Sequence, residues 1–300
     1  MSQETPIQTA DSVPPPPRRN QSKLSVAWRE LRKAPISAKV GVIIILTYIF
    51  VAVFAPLIAP YGESDIVGDQ FELWGEQFFL GTDNLGRDML TRIIYGARNT
   101  VGIALIITLF AFLIGGFFGL LAAAVGGWVD QLLSRTADVL MAIPLLIFAM
   151  LLLTIFGTSV VNMVLIIGIL DSTRVFRLTR AVSVNVVVMD FIESARLRGE
   201  GLGWITIREI LPNILPPLSA EFGLRFCFVF LTISALSFLG LGIQPPTADW
   251  GSMVRDTSEL ITFDDYTPLI PAAAIAVLTI GVNFVVDWFL HKSSGLKDEH

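Results

Sequence analysis

The sequence predicts an all-α, polytopic membrane protein with six transmembrane helices. Three observations carry that reading. Of 300 residues, 53% are hydrophobic and only 16% charged, well below the roughly one quarter usual in soluble domains. The apolar residues gather in runs long enough to cross a ~30 Å hydrocarbon core as helices of about 20 residues. Lys and Arg are spread unevenly over the polar gaps between the runs, which orients the chain. The formal charge of −5 says little by itself, because position matters more than sum. The one cysteine, Cys227, stands in an apolar run, so no disulfide forms within the chain. Both histidines, His291 and His300, fall at the C-terminal end, leaving no histidine-rich metal centre and no histidine base in the body.

Residues 1–38 read as a cytoplasmic arm. They are polar, with Pro14–Pro17 in a row, and the beginning is expected to be disordered. Ser25–Ala34 suits an amphipathic helix on the membrane surface, with Leu24, Trp28 and Leu31 inward. The first apolar run starts too late and is too long for a signal peptide. Residues 39–291 read as one transmembrane domain, with spans at about 40–59, 100–124, 137–156, 159–176, 214–241 and 268–290, and 292–300 as a cytoplasmic tail. Only the turn at Gly157–Ser159 separates the third span from the fourth. Pro144 is expected to kink the third, and Pro268 and Pro271 the sixth. Gly115 and Gly119 give the second span a small-xxx-small face for close helix packing.

The arm holds seven Lys and Arg when Lys39 is included, and residues 172–212 hold six. Residues 60–99 hold three against seven acids, and 242–267 hold Arg255 against five acids. The first two regions are therefore expected inside and the last two outside, with both termini cytoplasmic. Within 60–99, Gly81, Asn84 and Gly86 mark turns before a short helix at Met89–Tyr95. The plain reading of Asp83, Arg87 and Asp88 is mutual pairing in a structured outer connection. The sharper one is a gate or a docking surface, to which Gln244 and Trp250 of the other outer loop would add, although Trp at an interface is often only an anchor.

Charges at membrane depth need partners. Glu221 and Arg225 are spaced i,i+4 and form an intramembrane pair; Asp171 and Arg174 pair at i,i+3. Direct contact with cargo is the alternative role for Glu221 and Arg225. Arg174, Arg177 and Arg180 recur every third residue, as in a voltage-sensing helix, but three arginines just before a polar loop are more simply positive-inside anchors.

Several chemistries are missing. No Gly-x-x-x-x-Gly-Lys-Ser/Thr cradle for phosphate occurs, so the chain is not expected to hydrolyse ATP. There is no His-Glu-x-x-His, no histidine to activate a serine, and no potassium-type filter.

Asp190–Pro217 is a polar island between the fourth and fifth spans. Asp190 reads as an N-cap with Glu193 three residues on. A short helix comes next, broken by Gly199, Gly201 and Gly203. A second amphipathic piece then places Trp204, Ile207 and Leu211 on one face, and Pro212, Pro216 and Pro217 end it or kink the start of the fifth span. Gly199 suits the sharp turn between the two pieces.

Glu193-Ser194-Ala195, then Gly199, then Leu211-Pro212-Asn213 resemble the EAA loop of ABC importer permeases. The stretches at 79–98, 126–144 and 234–251 resemble the peptide/nickel (Dpp/Opp-type) subfamily, in its C-type subunit, and the likeness covers roughly residues 24–291. Ser194 replaces the usual alanine, and Glu209 stands where the subfamily often has histidine. The resemblance implies a type I ABC importer permease fold in a bacterial inner membrane and a non-catalytic role. Besides lipid, it implies a second, B-type permease, two ABC ATPase subunits and an extracytoplasmic substrate-binding protein as partners, and no nucleic acid. ATP and magnesium belong to the ATPases, and this chain needs no cofactor or metal. Coupling to the ATPases falls to the loop at 190–213, through Glu193, Ser194, Ala195, Arg196, Arg198, Gly199, Leu211 and Pro212, with Ser194 and Ala195 small enough for close approach. Asp83, Arg87, Asp88, Gln244 and Trp250 lie where the binding protein or an outer gate would touch. Di- and oligopeptides are the expected cargo, with nickel chelates, opines and glutathione-like compounds as alternatives. An ion channel or a gradient-driven transporter is the remote reading from another class.

Overall fold

The computed structural model describes residues 32–293. The expected disorder at the start, and all but the last residues of the expected surface helix, lie outside the described residues. The body that begins at Ile36 is helical, and among the described residues extended pairing is limited to the isolated bridges Ile66–Arg87 and Thr82–Asp88.

The first helix, α1, is Ile36–Ile58, and α2 is Met89–Val125. Next come α3 (Gly127–Met141), α4 (Leu145–Phe156), α5 (Val160–Val187) and the short α6 (Asp190–Leu197). Helix α7 runs Leu202–Phe238 with a π turn at Thr206–Ile210. The last two are α8 (Trp250–Thr257) and α9 (Leu269–Ser293). Helices α1, α2, α7 and α9 are long and apolar enough to cross a membrane. Both α2 and α7 have 37 residues, about 55 Å at 1.5 Å per residue, so each extends beyond the hydrocarbon core.

Three expectations about the spans are corrected. The short helix placed at Met89–Tyr95 is the opening of α2, because the Asp88 carboxylate caps the helix by accepting the Thr91 N–H at 2.7 Å and no breaker follows. The third span is not one helix over 137–156 but α3 and α4 meeting at 85°. Pro144 lacks an N–H and disfavours helical backbone in the residue before it, so α4 starts afresh behind it. The fourth span runs on to Val187, 28 residues in all. The charged side chains Asp171, Arg174, Arg177 and Arg180 lie on it within one ten-residue stretch.

Small residues let the helices approach. Ala104, Thr108, Ala111, Gly115, Gly119 and Ala122 form a buried stripe on α2, which packs extensively on α5. Gly115 abuts the Ser172 carbonyl and Val175, and Gly119 abuts Phe176 and Thr179, so a Cβ at either would overlap α5 backbone. Gly41 meets the Gly281 carbonyl in the same way, joining α1 to α9. Trp250 is buried where these elements converge: it meets Tyr48 and Phe230 edge-on, and its indole N–H donates to the Ile93 carbonyl at 3.0 Å. Gly96 makes room for that indole, since a Cβ there would lie 2.6 Å from it.

Candidate coupling site

At the far end of α2 from Trp250, helices α5, α6 and α7 build a satellite core of Val186, Ile192, Ala195, Ile205, Ile210, Ile214 and Leu218. One face of α6 is fixed there, through Ile192 and Ala195. The other face is exposed and holds Glu193, Ser194, Arg196, Leu197 and Arg198. Asp190 is not the cap. Met189 occupies that position without a side-chain bond, while Asp190 and Glu193 lie in the first turn, where carboxylates favour the positive end of the helix dipole.

The helix ends in a two-bond αL cap. The Glu200 N–H donates to the Ala195 carbonyl at 3.2 Å and the Gly199 N–H to the Arg196 carbonyl at 2.9 Å, with Gly199 at φ +83°. Left-handed backbone of this kind favours glycine. Added Cβ atoms at Gly199, Gly201 and Gly203 would meet no atom of this chain within 4 Å.

The second piece departs from the expected face. Ile207 is 65% exposed, and the buried residues are Ile205, Ile210 and Ile214. The π turn inserts an extra residue into the register, so positions five apart align across it, and a 3.6-residue count misplaces everything between. Trp204 and Leu211 do pack at the edge of the satellite core, and the Arg208 guanidinium sits 5.7 Å over the Trp204 ring. Pro212 is exposed in the first turn after the π segment, and Pro216 and Pro217 are carried inside a continuing helix. The Asn213 amide donates to the Glu209 carbonyl at 2.6 Å, while Glu209 itself is half-buried.

The structure therefore divides the expected coupling residues. Glu193, Ser194, Arg196, Arg198, Gly199 and Pro212 are exposed on one end; Ala195 is fully buried, and Leu211 partly so. Ala195 is small because it fits against the chain's own core, so the surface for close approach is Ser194 alone. Leu197, 83% exposed on α6, is a further member of this face that the motif does not mark. Its signal in the sequence is an apolar residue between two arginines in an eight-residue helix.

Two ion pairs expected separately meet. Arg174 and Arg225 both approach Asp171 Oδ1, at 3.3 and 3.5 Å, and Arg225 Nε lies 2.7 Å from Glu221 Oε1. The Arg225 guanidinium also sits 4.7 Å over the Phe228 ring. Arg180 reaches a partner not foreseen, Asp130 of α3, with Nη2 2.6 Å from Oδ2.

At the opposite end, Asp83 Oδ2 receives Arg87 at 2.7 Å and lies 3.1 Å from Arg92 Nε, while Oδ1 accepts the Leu85 and Arg87 N–H groups. Glu63 staples this segment to the next loop by accepting the Asn99 amide at 2.7 Å and the Ala248 N–H at 2.6 Å. Asp83, Arg87, Asp88 and Trp250 are all buried, so they hold the segment together and present no surface to a partner. Gln244 is exposed, its amide donating to the Gly240 and Gly242 carbonyls.

Compared with known proteins, residues 115–293 match a family described as binding-protein-dependent transport system inner membrane component, and residues 22–79 match the N-terminal TM domain of oligopeptide transport permease C. A dipeptide transport system permease protein of Alkalihalophilus pseudofirmus is 35% identical over 94% of this chain and 94% of that protein. A di/tripeptide transport system permease of Pseudomonas aeruginosa is 34% identical over 82% of this chain and 84% of its own. A glutathione transport system permease of Pectobacterium atrosepticum is 30% identical over 87% of each. A solved amino acid ABC transporter superposes with a TM-score of 0.51 at 21% identity, over 68% of this chain and 94% of that one, which establishes a shared fold.

Proposed function

The chain belongs to the family of binding-protein-dependent transport system inner membrane components, and from that membership we propose that it is the C-type permease of an ATP-driven importer of di- and oligopeptides. It lies in the membrane and forms the translocation path with a second, B-type permease. Two cytosolic ATPases bind ATP and magnesium, and an external binding protein delivers cargo. Both termini lie in the cytoplasm, as the placement of Lys and Arg suggests.

The observation that carries the coupling role is the corner at Gly199. One face of α6 is held by Ile192 and Ala195, and the other, with Leu197, Arg196 and Arg198, is open to solvent. An ATPase groove taking that face would receive an apolar anchor flanked by two cations, and its movement would pass through Ile205, Ile210 and Ile214 into α7. Peptide cargo is supported by relatives whose names specify dipeptides and di/tripeptides. Glutathione-like cargo is the second reading, supported by the glutathione permease relative.

The test is uptake of a labelled dipeptide into vesicles holding the complete importer, with Leu197→Cys available for cross-linking. ATP-dependent uptake and a cross-link from position 197 to an ATPase subunit are expected. Uptake that persists without ATP, or an assembled complex with no such cross-link, would overturn the reading.

A further inference from the structure

The four charges between α5 and α7 balance two against two, but they leave bonding capacity over. Asp171 Oδ2 is buried without a hydrogen-bond partner, and the side chain is 1% exposed. Arg174 has five N–H donors, yet its one hydrogen bond goes to Asp171 Oδ1, and 36% of the side chain is exposed. Asp171 and Arg174 stand 11 and 14 residues beyond Val160, the start of α5 (171 − 160 and 174 − 160), which is about 17 and 21 Å along the helix. Those depths fall inside a hydrocarbon core of about 30 Å. An exposed guanidinium there is costly against lipid and is stable facing water or protein.

A second observation points the same way. Arg174 lines a small cavity with Met141, Ile143 and Leu145, at the 85° break between α3 and α4. An interrupted helix at membrane depth persists where it is buried in protein or lines an aqueous cavity. The break and the exposed arginine lie side by side, and a position facing protein or water inside the assembled transporter would satisfy both.

Resting on the peptide-importer reading, we propose that Arg174 is a specificity-determining contact on the translocation path, receiving the side-chain carboxylate of a passing acidic peptide while Asp171 holds the guanidinium in place. A planar fork with unused donors matches a carboxylate with two oxygens. Arg225, engaged by both Asp171 and Glu221, keeps the second cation from competing.

The experiment compares Arg174→Gln and Arg174→Lys with the native chain in vesicles holding the complete importer. It measures uptake of an acidic and a basic dipeptide at concentrations saturating the binding protein, with ATP hydrolysis followed in parallel. In Arg174→Gln the acidic-to-basic uptake ratio should fall about tenfold, the weight of one charged hydrogen bond, with ATP hydrolysis unchanged. Arg174→Lys, which keeps the charge but not the fork, should restore part of that ratio. A ratio within twofold of native in Arg174→Gln overturns the proposal, as does equal loss of both peptides together with ATP hydrolysis. If Arg174→Gln does not assemble, Arg174→Lys decides, and an assembled Lys variant that has lost the ratio overturns the proposal. A native complex that takes up neither peptide would instead overturn the peptide-importer reading.

Discussion

Replacing Gly199 separates two explanations for its presence at the corner. Its φ of +83° costs an ordinary L residue about 1–2 kcal/mol, whereas Asn tolerates that region better. Because a Cβ at Gly199 meets nothing of this chain within 4 Å, no clash adds to that cost within the chain. A change of about 1 kcal/mol shifts the population of the turned corner roughly fivefold. Uptake should therefore rank Gly, then Asn, then Ala, then Val, although Asn is larger than Ala. If tight approach of the ATPase were the reason for glycine, uptake would track side-chain volume and Ala would surpass Asn. The assay is ATP-driven dipeptide uptake, normalised to inserted protein. Equal uptake by all four, or Ala above Asn, would refute the conformational argument.

Packing and charge give three further expected outcomes. Gly115→Leu drives a side chain into the Ser172 carbonyl and Val175, so the α2–α5 contact should open and the detergent-solubilised protein should lose about 3 kcal/mol, the upper end for overpacking, read as a lowered thermal midpoint. Asp83→Ala leaves the buried Arg87 and Arg92 without their shared acceptor, at about 3–5 kcal/mol; protease cleavage within 60–88 should rise while α6 stays protected. Asp130→Asn weakens the tie of α3 to Arg180 of α5, and the thermal midpoint should fall by the equivalent of no more than about 1 kcal/mol because both groups are partly exposed.

The apolar runs carried most of the fold, because lipid forces every spanning helix to display its composition in a contiguous stretch. Gly115 and Gly119 were legible for the same reason: close packing in a membrane selects small residues at fixed spacing. Local backbone geometry, by contrast, was concealed. The π turn at Thr206–Ile210 changes the helical period by one residue and so reverses which isoleucines are buried, with no residue type to announce it. Likewise Pro144 signalled a disturbance, but an 85° break and a kink leave the same proline in the sequence. Burial of Trp250 depended on Ile93, a residue far along the chain, whereas the pairing of Asp83 with Arg87 was legible from spacing but its burial, shared with Arg92, was not.

Helix α7 links the corner to the charged cluster: it starts three residues after Gly199 (202 − 199) and carries Glu221 and Arg225. Ile205, Ile210 and Ile214 lock the start of α7 to α6 through an apolar contact, and Glu221 and Arg225 lie seven and eleven residues beyond Ile214 on that helix (221 − 214 and 225 − 214). That is about 10 and 16 Å along the axis, with helical hydrogen bonds resisting stretch between them. Packed helices shift between discrete arrangements more readily than they deform continuously. A displacement of α6 would therefore be borne by α7 as a body and would alter the set of ion pairs that α7 makes with Asp171 of α5. Of the three contacts within that cluster, the one between Arg225 and Asp171 crosses between helices and is the longest, at 3.5 Å. It is the contact that a sliding α7 would break first, leaving Asp171 to Arg174.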